Sequence, residues 1–134
     1  MKSAADVISS VFLSSKIYDV SLEVAARRLA ERYSNINLLC GMPKKNKLLE
    51  AVIEVYWTTG PILGETLNRR KHLKLTTPIG KLLAPFLTEG APKGTFDKVR
   101  EQDLFLYRLL SGAVLMAVVK SETDMRGENC RATS

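Results

Sequence analysis

Residues 109–119, Leu-Leu-Ser-Gly-Ala-Val-Leu-Met-Ala-Val-Val, carry no charge and are apolar at every position but Ser111 and Gly112. Such a segment has to be covered on all sides, whatever backbone it adopts. It closes a longer apolar-rich stretch that includes Leu104, Phe105, Tyr107, Leu109, Leu110, Val114, Leu115, Val118 and Val119. Thr95 is a suitable N-cap, and the length from Phe96 to about Lys120 predicts one long helix. A helix apolar around its whole circumference is buried in a core or in a subunit contact. In a chain of 134 residues the subunit contact is favoured, formed by Leu109, Leu110, Val114, Leu115 and Val118. Gly112 inside this helix either permits a close crossing or costs stability.

The rest of the chain also reads as helical. Val7, Ile8, Val11 and Phe12 recur at helical spacing between about Ser3 and Leu13. A second helix starts at Asp19 or Ser21 and buries Leu22, Ala25, Ala26 and Leu29. It stops near Tyr33, before the turn formers Ser34 and Asn35. Ile36, Leu38 and Leu39 form a short apolar piece ended by Gly41 and Pro43. A third helix is predicted over Pro43 to Trp57, with Leu48, Leu49, Val52, Ile53 and Tyr56 buried. The β-branched Val52, Ile53 and Val55 make a strand conceivable there, but the length favours a helix. Residues 61–75 are of uncertain type. Thr77-Pro78 starts a short helix that Pro85 bends or ends, and 89–94 read as a loop.

The expected architecture is therefore an all-α domain over residues 1–120 with a polar tail over 121–134. Ser21 to Trp57 has helix-turn-helix character. Ala26, Leu29, Ile36 and Leu39 stand near the core positions of that motif, although Ala30 replaces its usual turn glycine.

Charge is unevenly spread. Residues 43–81 hold eight Lys or Arg against Glu50, Glu54 and Glu65, a net +5 of the chain's +6. A basic excess confined to one internal segment reads as a docking surface for a polyanion, with nucleic acid the leading candidate. Lys44, Lys45, Asn46 and Lys47 would sit in the first turn of the third helix, where phosphate meets both free N–H groups and lysines. Arg69, Arg70, Lys71, His72 and Lys74 form the second cluster. Its arginines suit bidentate contact with phosphates or guanine edges, and Asn46, Arg69 or Arg70 would read bases. Each cluster can also be read as a solvated surface run with no partner.

Several function classes find no foothold in the sequence. It carries no phosphate-binding loop, no dinucleotide fingerprint, no HExxH and no GxSxG, so an enzyme is not expected. Two cysteines, Cys40 and Cys130, and a single histidine, His72, supply neither a disulfide framework nor a metal site, and no cofactor is expected. No stretch reaches the length and hydropathy of a membrane span, and no signal peptide is evident, so the expected compartment is the cytoplasm.

Arg28-Leu29, then Lys45-Asn46-Lys47-Leu48-Leu49 through Glu54 to Gly60-Pro61, resembles the N-terminal part of an FlhC subunit. Ile17-Tyr18-Asp19-Val20-Ser21-Leu22 is similar to the start of an FlhD subunit. The chain thus resembles, over residues 17–61, the bacterial flagellar master regulators of the FlhD/FlhC type and their relatives on conjugative elements. The resemblance implies an all-helical subunit, oligomerisation and DNA-bound activation of transcription. The combined expectation is a DNA-binding transcriptional regulator, an activator subunit acting on double-stranded DNA as a homo-oligomer or with a paired subunit. The alternative is a helical adaptor or chaperone for an acidic protein.

Overall fold

Among the described residues Ser3, Ser21 and Thr77 start three α-helices, α1 (Ala4–Tyr18), α2 (Leu22–Arg32) and α3 (Pro78–Leu83). Each hydroxyl oxygen accepts a hydrogen bond from the backbone N–H three residues on, at Asp6, Val24 and Gly80, which satisfies a donor the helix itself cannot. Pro78 follows the Thr77 cap at the first helical position. The computed structural model describes residues 3–87, 94–99 and 102–120.

The remaining regular structure among the described residues is a short 3-10 helix, Ala84–Leu87, directly after α3, and the strands β1 (Ile36–Lys45), β2 (Ala51–Thr58), β3 (His72–Lys74), β4 (Gly94–Val99), β5 (Gln102–Arg108) and β6 (Val114–Lys120). They form one sheet in the order β3-β2-β1-β6-β5-β4, and every neighbouring pair is antiparallel. Two meanders, β1-β2-β3 and β4-β5-β6, are joined by β1 against β6, from Ile36↔Val119 to Gly41↔Val114. Pro43 lies beyond the last β6 partner, where β1 needs hydrogen bonds on one side only.

Both faces of the sheet are covered. On one, Ile36, Leu38, Cys40, Trp57, Leu115, Ala117 and Val119 pack against Val7, Ile8 and Val11 of α1 and Ala25 and Ala26 of α2. The small alanines let α2 approach closely. On the other, Leu39, Ile53, Val55, Leu73, Leu104, Leu106, Val114, Met116 and Val118 lie under Ile62 and Leu67 of the β2–β3 connection and Ile79 and Leu83 of α3. Gly41 is required where it stands, because a Cβ there would fall 2.6 Å from Ile53 Cγ2. At that point the register slips. Cys40 faces Trp57 and Gly41 faces Val55, so Tyr56 is the extra residue of a β-bulge.

The all-α expectation is therefore corrected to a mixed α/β fold, and the helix-turn-helix unit goes with it. Of its two predicted helices only α2 exists; the second is replaced by β1, a turn and β2. The all-helical subunit implied by the FlhD/FlhC resemblance is overturned on the same ground. The predicted helix Phe96–Lys120 is the antiparallel run of β4, β5 and β6, and Gly112, at φ +92°, lies in the turn between β5 and β6. For β6, buried at every position from Val114 to Val119, the error has a plain physical source. A strand buried on both faces is apolar at every position, and that pattern is the same as a helix apolar all round.

The proposed contact surface fails for the same reason. Val114, Leu115 and Val118 are 1%, 0% and 3% exposed inside a single chain, so they are core and not interface. Leu109 is half-buried and packs against the core cluster on the α1–α2 side of the sheet, while Leu110, 97% exposed, stands in the β5–β6 turn. Other exposed large apolar side chains include Leu13, Ile17 and Tyr18 of α1. The predicted tail 121–134, with Cys130, lies outside the described residues, as do positions 89–93 of the predicted loop.

Leu115 and Leu110 separate the two readings in solution. Leu115→Ala should cost about 2–5 kcal/mol in a urea unfolding curve, the range for a fully buried leucine. Leu110→Ala should stay within about 0.5 kcal/mol of the parent, as an exposed turn residue does. Equal effects would contradict the sheet assignment.

Candidate nucleic-acid interface

β2 pairs with β1 on one side and with β3 on the other, and this joins the two basic clusters that the sequence keeps more than twenty residues apart. The register sets Lys44 opposite Val52 and Val52 opposite Lys74. Directly opposed residues share a face, so both lysines project from the same side of the sheet, two strand spacings or about 10 Å apart. The next row, Met42↔Glu54↔His72, lies on that same side, and Met42 packs against the α1–α2 core cluster. The basic surface thus lies beside α2, at the end of the sheet formed by β1, β2 and β3.

Two carboxylates hold part of it. Lys44 Nζ donates to Glu54 Oε2 at 2.6 Å, and His72 Nε2 lies 3.9 Å from the same oxygen. Arg69 Nη2 donates to Glu23 Oε2 at 2.7 Å across to the first turn of α2, and Arg27 Nε reaches that oxygen at 3.0 Å. The Lys44 hydrogen bond is the main cause that holds the Glu54 carboxyl below its usual range. Partial desolvation pushes Glu23 upward, but Arg27 and Arg69 together outweigh it, and its carboxyl also sits low. Lys45, Lys47, Arg70, Lys71 and Lys74 are exposed and in no ion pair among the described residues.

An open depression of about 500 Å³ lies within this surface, lined by Glu23, Glu54, Tyr56, Trp57, Arg69 and Arg70. Trp57 is core, while Tyr56, the extra residue of the bulge, is 41% exposed. Arg70 adopts a left-handed backbone, φ +69°, and its N–H donates to Val55 O while Lys71 O accepts from Val55 N. This extends the β2–β3 ladder and fixes where the Arg70 side chain emerges.

The first cluster differs from the sequence expectation in kind. Lys44, Lys45 and Lys47 stand on a β-hairpin, with no helix terminus beside them. Lys45 pairs with Ala51 and so faces away from Lys44. Asn46 is occupied by its own turn, its Oδ1 accepting from Leu48 N and Glu50 N, and is not placed to read bases. Leu48 and Leu49 are not buried; both are 77% exposed at the tip of the turn. Sequence reasoning also misses Glu23 as a partner of Arg69. No pattern within the chain predicts that pairing, which spans 46 positions. Among the described residues no three His, Cys, Asp or Glu side chains gather as a metal site. No helix among them is long and apolar enough to cross a membrane. No protein-family model, curated protein or solved structure matches this chain.

The two ion-paired carboxylates set a pH dependence. A depressed carboxyl stabilises the fold above its ordinary pKa of 4.5, and that contribution is lost as pH falls through the lower folded value. Glu23→Gln should therefore lower the Tm slightly at pH 7, and its melting curve should converge on that of the parent as pH drops below 4.5. Thermal melts followed by circular dichroism between pH 3 and about pH 7 would check this. A difference that persists undiminished at the acid end would show that the ion pairs are not its source.

Proposed function

We propose that the chain binds double-stranded DNA through the β1–β2–β3 end of its sheet. One observation carries the reading: the register Lys44↔Val52↔Lys74 brings a lysine from each of the two basic clusters onto a single face. Lys44, Lys74, Arg69, Arg70 and Lys71 contact phosphates from that face and its margin, with Lys45 and Lys47 added by the hairpin. Backbone contacts of this kind supply affinity and orientation without reading sequence. Arg69 and Arg70, which line one depression with Tyr56, are the proposed base-contacting groups. Bound near a promoter, such a protein regulates transcription by occupancy, recruiting or blocking polymerase.

Glu54 and Glu23 fit this reading as internal counter-ions. In the free protein they hold Lys44 and Arg69 in place and reduce the repulsion within the patch. A phosphate then competes for cations that are already oriented.

Counterion release provides the test. Log affinity for a duplex should fall linearly with log salt, with a slope of about −0.9 for each phosphate neutralised. Lys74→Ala should reduce the slope by about 1, and Glu54→Gln, which releases Lys44, should steepen it by about 1. Lys81, in α3 over the opposite face, should have no effect when changed to Ala. Fluorescence anisotropy on a labelled duplex from about 50 to 200 mM salt measures all three. A slope near zero would overturn the DNA reading and favour an acidic protein partner.

A further inference from the structure

Lys47, Leu48 and Leu49 form a three-residue turn between Asn46 and Glu50 at the far end of the β1–β2 hairpin. Asn46 N donates to Glu50 O and Leu49 N donates to Asn46 O, both at 3.0 Å. The Asn46 side chain clamps the same turn through Leu48 N and Glu50 N. The turn therefore has a fixed shape. Within it Leu49 takes a left-handed backbone, φ +62°, at the position where a three-residue hairpin turn ordinarily uses glycine. Both leucines are 77% exposed. A rigid turn that holds two large apolar side chains in water, one of them with strained backbone, is poor for stability. Lys44, Lys45 and Lys47 lead into these leucines and the exposed Glu50 follows them, and the net positive charge beside the pair matches it to an anionic partner with an apolar interior.

We propose that this turn is an apolar wedge for duplex DNA. Leu48 and Leu49 enter between base pairs from the minor groove, part-unstack one step and bend the helix, while Lys45 and Lys47 hold the phosphates on either side. The proposal rests on the DNA reading above and adds a deformation of the partner to it. Side chains of this type inserted at a base step bend a duplex by about 20–90°. The preferred sites are flexible pyrimidine–purine steps such as TA, which unstack most readily.

The test is fluorescence energy transfer between the ends of a short duplex with one central TA step, alongside anisotropy for binding. The parent protein should draw the ends together on binding. The double variant Leu48→Ser/Leu49→Gly should still bind, within about tenfold in Kd, and leave the duplex straight. Gly at position 49 relieves the left-handed backbone, so this variant should melt no lower than the parent. Binding with equal bending by parent and variant, or with no bending by either, overturns the wedge and leaves the DNA reading intact. No binding by the parent at about 50 mM salt overturns both. A third arm uses vesicles of phosphatidylserine and phosphatidylcholine. If only the parent sediments with them, and neither protein bends DNA, the turn is a membrane-inserting loop and the wedge is overturned.

Discussion

The antiparallel pairing of β1 with β6 is the constraint on which the rest of the molecule depends. It brings residues 36–41 against 114–119, and the polar backbone beyond its end is tied off by Asn35, whose C=O accepts from Lys120 N and whose side chain donates to Lys120 O. Without this pairing the chain is two separate three-stranded meanders, each with an open edge and neither with a complete core. With it, Leu38, Cys40, Leu115 and Ala117 form one surface for α1 and α2, and Leu39, Val114 and Met116 form another for α3 and the β2–β3 connection. The closure spans about eighty positions, so its entropic cost precedes most of the stabilising contacts and folding should be slow for a chain of this size.

The basic face inherits its geometry from this centre. β2 hangs on β1 and β3 hangs on β2, so the positions of Lys74 and His72 depend on the register of strands they do not touch directly. Side-chain direction in a strand alternates, and a slip of one residue between β2 and β3 would send Lys74 to the opposite face from Lys44. The buried side chains prevent that slip. Ile53 and Leu73 are opposed and must both face the core under Ile79 and Leu83. The same apolar contacts that stabilise this corner therefore fix the spacing of the cations. Cys40 shows how dry the centre is: burial, with a smaller contribution from Glu23, pushes its thiol up to about 11.

How much of the fold is legible in the sequence depends on how local each signal is. Ser21 and Thr77-Pro78 mark their helices through contacts three residues away, and both helices stand where those residues place them. The strands depend on partners far along the chain. Val114 to Val119 is apolar because both faces of the central sheet are covered, and no local pattern distinguishes that from a buried helix. For Ala51 to Thr58, the β-branched and aromatic side chains are the correct signal, and the length argument for a helix fails because the turn at 46–50 divides the segment. The basic clusters are legible as composition. Their merger is not, because it depends on strand order, and the two exposed leucines read as core because Leu is most often buried.

Lysines on an edge strand have an ordinary structural explanation. β3 is three residues long, ends the sheet, and exposes His72 and Lys74; charge on a short edge blocks pairing with another chain. That argument accounts for Lys71 and Lys74 without any partner. The end of β1, beyond its last β6 partner, is such an edge too, and the same argument covers Lys45. It does not account for Leu48 and Leu49, which stand in the turn between Lys47 and Glu50. Protection against aggregation would place polar residues at the tip, and local backbone preference would place glycine at 49. The turn violates both rules at adjacent residues while the rest of the sheet obeys them. The combination of strain, exposure and nearby charge at this turn is therefore the ground for the proposal that it meets a partner, since the stability of the fold itself does not call for it.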